Sequence, residues 1–584
     1  MFQKSLVSVL LALSAAVAAA EPKPLSLIHD LKLNVGTDQE KPVCWVEENG
    51  ERLLRLRGGV DNKTAARLDW SKLVDLERFR GMEVEVVFEY KAENLKYRPN
   101  PWAKERDEDF TPLTWYWKDS PDAEAKWMRP VIPAPKAGEV HGWTTWRGRA
   151  VVTDTADFSY SGARLVAPFG EGRMLVRDYR IEAAKEPFMD GIVRKAGATI
   201  PEGYKCEYSA KWLDGKRRRG IVAIWSFKPE DFEKIADWGC NLVRMSRFKP
   251  LSDDYQKLEA NLAVLKKRGI RVIFAPMTPG YGGNMEKGAI FTKPEKREEY
   301  LKGWAKLAEY FKGRDDVWAF GLMNEPFQGL FGNDADRFNF WQLQYEAIKA
   351  IRAIDPDRPI VASGDGPGAP GSYELPYMRP FPFKDVWYEL HVYSPLAFTH
   401  SDVMGKGLDF SKPENRYPGI KAGGRVWNKD MLAVSFGMAN AFAEKWGARW
   451  FLGEFSAARH AAGAAQWLDD VATIADSFPN LDMWTYHSYG EYHAWNLEYD
   501  ETSPFKQAKK TPAGVDSERL KVMKHHWAAN SAGGSACSAQ PVVADDDDED
   551  SPWDDDEDDD GDSAKDAARA ALDAMKARQA EEGK

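Results

Sequence analysis

The chain has 584 residues, 43% hydrophobic and 29% charged, so it is too long for one compact domain and ordinary in polarity for a folded protein. Its net charge of −11 misleads, because residues 545–562 alone hold 14 acidic side chains and the remainder balances at +3. A near-neutral folded part with no basic stripe argues against nucleic acid as a partner.

Residues 1–20 read as a secretory signal peptide. Lys4 precedes an apolar run from Leu6 to Ala20 that closes on Ala18-Ala19-Ala20, with cleavage expected after Ala20. No other stretch is long and apolar enough to cross a bilayer, so the expected location is periplasmic or extracellular. Cys44, Cys206, Cys240 and Cys537 are scattered, with neither CxxC nor zinc spacing, and nothing selects a disulfide pairing.

Residues 21–190 read as an all-β sandwich. MEVEVVFEYKAEN, TTWRGRAVVTDT and GRMLVRDYRIEAA alternate apolar and polar residues, and turn-rich pieces separate them. The closing pair, SGARLVAPFGEGRMLVRDYRIEAA, loosely resembles the end of a jelly-roll carbohydrate-binding module. Trp115, Trp117, Trp127, Trp143 and Trp146 could form a sugar platform or fill the sandwich core.

From 205 to 532 the pattern becomes strand, helix, strand, helix. Eight near-continuous apolar strands begin with GIVAIWSF (220–227) and end with LDMWTYHSY (481–489), and amphipathic helices separate all but the fifth connection. Eight such units specify a (β/α)8 TIM barrel in the α/β class, whose chemistry lies where the strands end. Those ends carry Arg244, Asn324 with Glu325, His391 with Tyr393, Glu454, and Trp484 with His487 and Tyr489. His487, Tyr489, Glu491, His493 and Trp495 crowd the last loop and could line the cleft or shape the loop. Glu325 and Glu454 each follow a run that wants burial, and two carboxylates on one rim are the working parts of glycoside hydrolysis.

The segments GCNLVRMSRF, GLMNEPF, ELHVYSP, FLGEFSAAR and MWTYHSYGE resemble glycoside hydrolase family 5, the cellulase-like family. The resemblance covers about 205–532. It implies Glu325 as general acid/base, Glu454 as nucleophile, Arg244 as the cation that keeps Glu454 ionised, and Asn324 as the ligand of a sugar 2-hydroxyl. It further implies that His391 and Tyr393 orient the carboxylates and that Trp484 stacks under the reacting sugar. One departure is Met277, near the end of the third strand, where the family usually has His.

The expected activity is a secreted retaining glycosidase acting on a β-linked polysaccharide, with β-glucan and β-mannan both open. No cofactor or metal is required. A non-hydrolytic sugar-binding protein on a degenerate barrel is the alternative, and oligomeric state is not legible. GPGAPG at 366–371 fits a dinucleotide fingerprint, but Pro367 and Pro370 spoil the helix start it needs. Residues 533–584 read as a linker, an acidic run of disordered type and a short helix.

Overall fold

The computed structural model describes residues 22–531, apart from stretches of which the longest are 58–66, 94–108, 276–288 and 327–339. The expected signal peptide, the acidic tail, Met277 and Cys537 fall outside the described residues. One compact unit ends at Phe188 and a second begins at Met189.

In the first unit, one antiparallel sheet centres on the long strands Met82–Glu93 and Arg173–Ala183, and a second on Asp157–Val166. Alternation along Met82–Glu93 buries Val84, Val86, Phe88, Tyr90 and Ala92 on one face. Trp115, Trp117 and Trp146 join the same core, so three of the five tryptophans considered for a sugar platform are packing residues. Trp143 stays partly exposed, with the Arg177 guanidinium 4.0 Å from its ring centroid. The side chain of Trp127 is outside the described residues.

The second unit is a closed barrel of eight parallel strands, as the alternation of strands and helices requires. They are β1 (Arg218–Ile224), β2 (Leu242–Ser246), β3 (Arg271–Ala275), β4 (Ala319–Gly321), β5 (Ile360–Ser363), β6 (Val386–Val392), β7 (Trp450–Phe455) and β8 (Leu481–Tyr486). Helices including Tyr255–Lys267, Pro294–Phe311, Phe340–Arg352 and Ala464–Ser477 bury one stripe each against them. Between β5 and β6 the described residues hold a short 3₁₀ turn, Pro370–Tyr373, in keeping with the weak helical pattern there. The segment between β6 and the next long helix carries a two-stranded ribbon, Ile420–Ala422 with Arg425–Trp427. No helix among the described residues is long and apolar enough to cross a membrane. Cys44, Cys206 and Cys240 are free thiols.

The barrel floor is apolar. Leu242, Ile273, Trp318, Val361, Trp387, Phe451 and Met483 meet there, and Tyr208, Trp212 and Leu213 pack against them. Burial of this kind stabilises by roughly 25 cal/mol per Å² of apolar surface, and it fixes the phase of the strands that contribute to it.

Candidate active site

Strand phase decides which side chains reach the rim. In β2, Leu242 belongs to the floor, so Arg244 points inward two residues later. In β6, Trp387 is a floor residue, and Glu389 and His391 rise above it on the same face. The next strand breaks the rhythm. Leu390 pairs with Leu452 and His391 with Glu454, which leaves Gly453 as an extra residue, a β-bulge. That insertion turns Glu454 inward, while Phe455 packs outside against Trp484 and Tyr486. Glu325 lies just beyond β4 with φ 47°, the left-handed region that few side chains adopt.

The result is one cluster. A carboxylate oxygen of Glu325, one of Glu454 and a ring nitrogen of His391 all lie within 4.8 Å of one another. Both Glu454 oxygens are held: Arg244 Nη1 donates to Oε1 at 3.1 Å, and the Tyr393 hydroxyl donates to Oε2 at 2.8 Å. Arg244 Nη2 donates to Asn324 Oδ1 at 2.8 Å, which orients that amide. His391 Nδ1 stands 2.9 Å from Glu325 Oε1.

Electrostatics follow from this geometry. Burial alone would raise the Glu454 pKa, but His391, His487, Arg244 and the Tyr393 hydrogen bond outweigh it and hold the carboxyl at about 2. Burial alone would lower His391. Glu454, Glu325 and Glu389 reverse that and push it to about 10, so the ring is an imidazolium. His400 goes the other way, to about 3, through burial and then the nearby His487, and stays neutral. Glu325, His391 and Glu454 sit close enough to offer donors to a metal ion. A protonated ring has no lone pair to give, however, and Arg244 already occupies the carboxylate, so the set does not fit a cation.

Residues 215–487 match the sequence model of the family described as Cellulase (glycosyl hydrolase family 5). This barrel is a glycosyl hydrolase family 5 domain. It is a glycoside hydrolase, and the placement of its polar residues at the strand ends agrees with that. Among solved structures, a crystal structure of a glycoside hydrolase is similar at 21% identity over 53% of this chain and 99% of its own, with a TM-score of 0.42. A hyperthermophilic endo-beta-1,4-glucanase is similar at 18% over 54% and 98%, with a TM-score of 0.41. The cellulose synthase subunit Z of Clostridioides difficile is similar at 20% over 53% and 99%, with a TM-score of 0.39. Likenesses of this size say nothing of substrate. Comparison with curated protein sequences finds no match.

The family 5 domain gathers Arg244, Asn324, Glu325, His391, Tyr393 and Glu454 from the residues expected on sequence grounds. It does not gather Trp484. Met483 belongs to the floor, so period two sends Trp484 outward, where it is fully buried and its indole donates to Asp476 Oδ1 at 3.0 Å. The expectation that Trp484 stacks under a sugar is therefore corrected: it is packing between barrel and helices. His487, one residue past β8, lies beside the cluster, with Nδ1 3.5 Å from Glu454 Oε2. Beside it, Trp495 meets His487 and His400 edge-on and donates to the Thr399 carbonyl at 3.0 Å. Tyr489 instead packs on Phe227 and Trp238, His493 packs on Phe505, and Glu491 lies outside the described residues.

Sequence reasoning missed Glu389. It is 1% exposed, its Oε1 lies 2.6 Å from Arg244 Nε and 3.4 Å from His391 Nε2, and the signal was available in ELHVY, since Glu389 precedes His391 by one strand period.

Proposed function

We propose that this chain is an exported, retaining β-glycosidase that cleaves a β-linked polysaccharide by double displacement. Glu325 protonates the departing glycosidic oxygen while a Glu454 oxygen attacks the anomeric carbon, so the old C–O bond breaks as the glycosyl–enzyme ester forms. Glu325, now a carboxylate, then takes a proton from water, whose oxygen displaces Glu454 and regenerates both side chains. Asn324 binds the sugar 2-hydroxyl, Arg244 and Tyr393 aim Glu454, and His391 aims Glu325.

The carrying observation is the approach of the Glu325 and Glu454 oxygens to within 4.8 Å. Retaining pairs stand about 5–5.5 Å apart and inverting pairs about 6.5–9.5 Å, because an inverting pair must admit a water. The hold on Glu454 at about 2 supports the same reading, since a nucleophile must be ionised at working pH. β-Glucan and β-mannan are both candidate substrates.

Reducing-sugar release from β-glucans, mannans and xylans tests the activity and names the substrate. NMR of the first product tests the stereochemistry, with retention expected. Inversion would sink the assignment of Glu454 as nucleophile, and retained affinity without hydrolysis on the whole panel would favour a sugar-binding protein.

A further inference from the structure

Glu389 is a third carboxylate buried in the upper barrel, and the double displacement gives it no task. It sits two residues below His391 on β6, beneath the pair that meets the sugar. Its Oε1 lies 2.6 Å from Arg244 Nε and 3.4 Å from His391 Nε2, and Ser363 Oγ lies 3.3 Å from Oε2. The Tyr373 hydroxyl donates to its backbone carbonyl. The space it fills exists because its neighbour on β7 is glycine: a Cβ on Gly453 would lie 1.9 Å from Glu389 Oε1.

We propose that Glu389 is a positioning residue that balances the Arg244 and His391 cations, so that the Glu325–His391 pair keeps the proton Glu325 must donate. The proposal rests on the reading of Glu325 as acid/base. With Glu325 protonated, and leaving aside His487 beside Glu454, the four groups Arg244, His391, Glu389 and Glu454 make two cations and two anions and sum to zero. Without the Glu389 charge, the same protonation state carries +1 in a buried site. The pair then releases a proton at lower pH. His391 Nδ1 and Glu325 Oε1 stand 2.9 Å apart, so a change of charge beside one is felt by both.

The neighbouring charges do not substitute for Glu389. Glu325 faces His391, Arg244, Glu454 and Tyr393, and Glu454 is already engaged by Arg244 and Tyr393. Glu389 faces Arg244, His391, Glu454 and Tyr373, and a buried Tyr373 phenol stays neutral. A carboxylate present only to pair Arg244 for folding would change thermal stability and leave the pH profile in place.

The test is the pH dependence of kcat/KM on cellopentaose, or on mannopentaose if that is the better substrate, for wild type, E325Q, E389Q and E389D. E325Q is expected to lose the basic limb. If it keeps both activity and limb, the acid/base assignment fails and this proposal falls with it. If E325Q loses the limb, E389Q is expected to move it to lower pH by about one unit or more. E389D, whose charge is drawn back by one methylene, is expected to fall between wild type and E389Q. A folded E389Q with the wild-type limb overturns the role of Glu389 while leaving Glu325 in place. Should E389Q not fold, E389D decides: a lower limb supports the proposal, and an unmoved limb refutes it.

Discussion

The two ends of the barrel interior are made by the same strands and do opposite work. On β6, Trp387 belongs to the apolar floor, while Glu389 and His391, two and four residues on, belong to a charged cluster. On β2 the step from floor to charge takes only Leu242 to Arg244. The floor needs nothing but shape and apolar surface. The upper end needs each charge matched, because an unmatched ion in that setting costs several kcal/mol. Stability at one end thus holds ions in place at the other, where they are chemically useful and structurally expensive.

The contrast can be broken from either side. Glu454→Gln should lower kcat by at least on the order of 10⁴-fold with little loss of fold, read by steady-state kinetics beside circular dichroism. Trp387→Ala should do the reverse, costing about 3–5 kcal/mol in a denaturant titration while any enzyme that stays folded keeps its pH profile. Tyr393→Phe removes one hydrogen bond to an ionised group, so kcat/KM should fall by about 10–100-fold and the acidic limb should move up, since one of the contacts depressing Glu454 is gone. Trp484→Phe should cost about 1–3 kcal/mol, through the lost Asp476 bond and the space left by the smaller ring, and leave KM unchanged, whereas a stacking platform would raise KM.

Stability should also follow pH in a definite way. Glu454 titrates at about 2 in the fold against an ordinary 4.5, so its contribution is present above 4.5 and lost as pH falls toward 2. His391 titrates at about 10 against 6.5, so its contribution is complete below 6.5 and lost as pH rises toward 10. Denaturation midpoints should therefore peak between 4.5 and 6.5. A maximum well above 6.5 would mean that His391 is neutral in the folded protein.

The barrel was legible because eight apolar runs alternate with amphipathic helices, a pattern that leaves little choice of architecture. Arg244, Glu325 and Glu454 were legible because charge at the end of a buried run demands an explanation. Trp484 was misread because nearness to a strand end does not give strand phase, and the phase of β8 is set by Met483 in the floor. Glu389 was passed over for the opposite reason: it lies below the rim, where a carboxylate stands inside the run and not after it. The inward aim of Glu454 depends on Gly453 being unpaired, and strand pairing is not written in one dimension.

That unpaired glycine makes the direction of the Glu454 carboxylate a matter of strand register. A strand paired regularly through Gly453 would keep every functional group and still present Glu454 to the helices, where Phe455 now lies. Loops grafted into this barrel, or barrels redesigned from it, can therefore lose catalysis through pairing register alone, with an intact inventory of side chains.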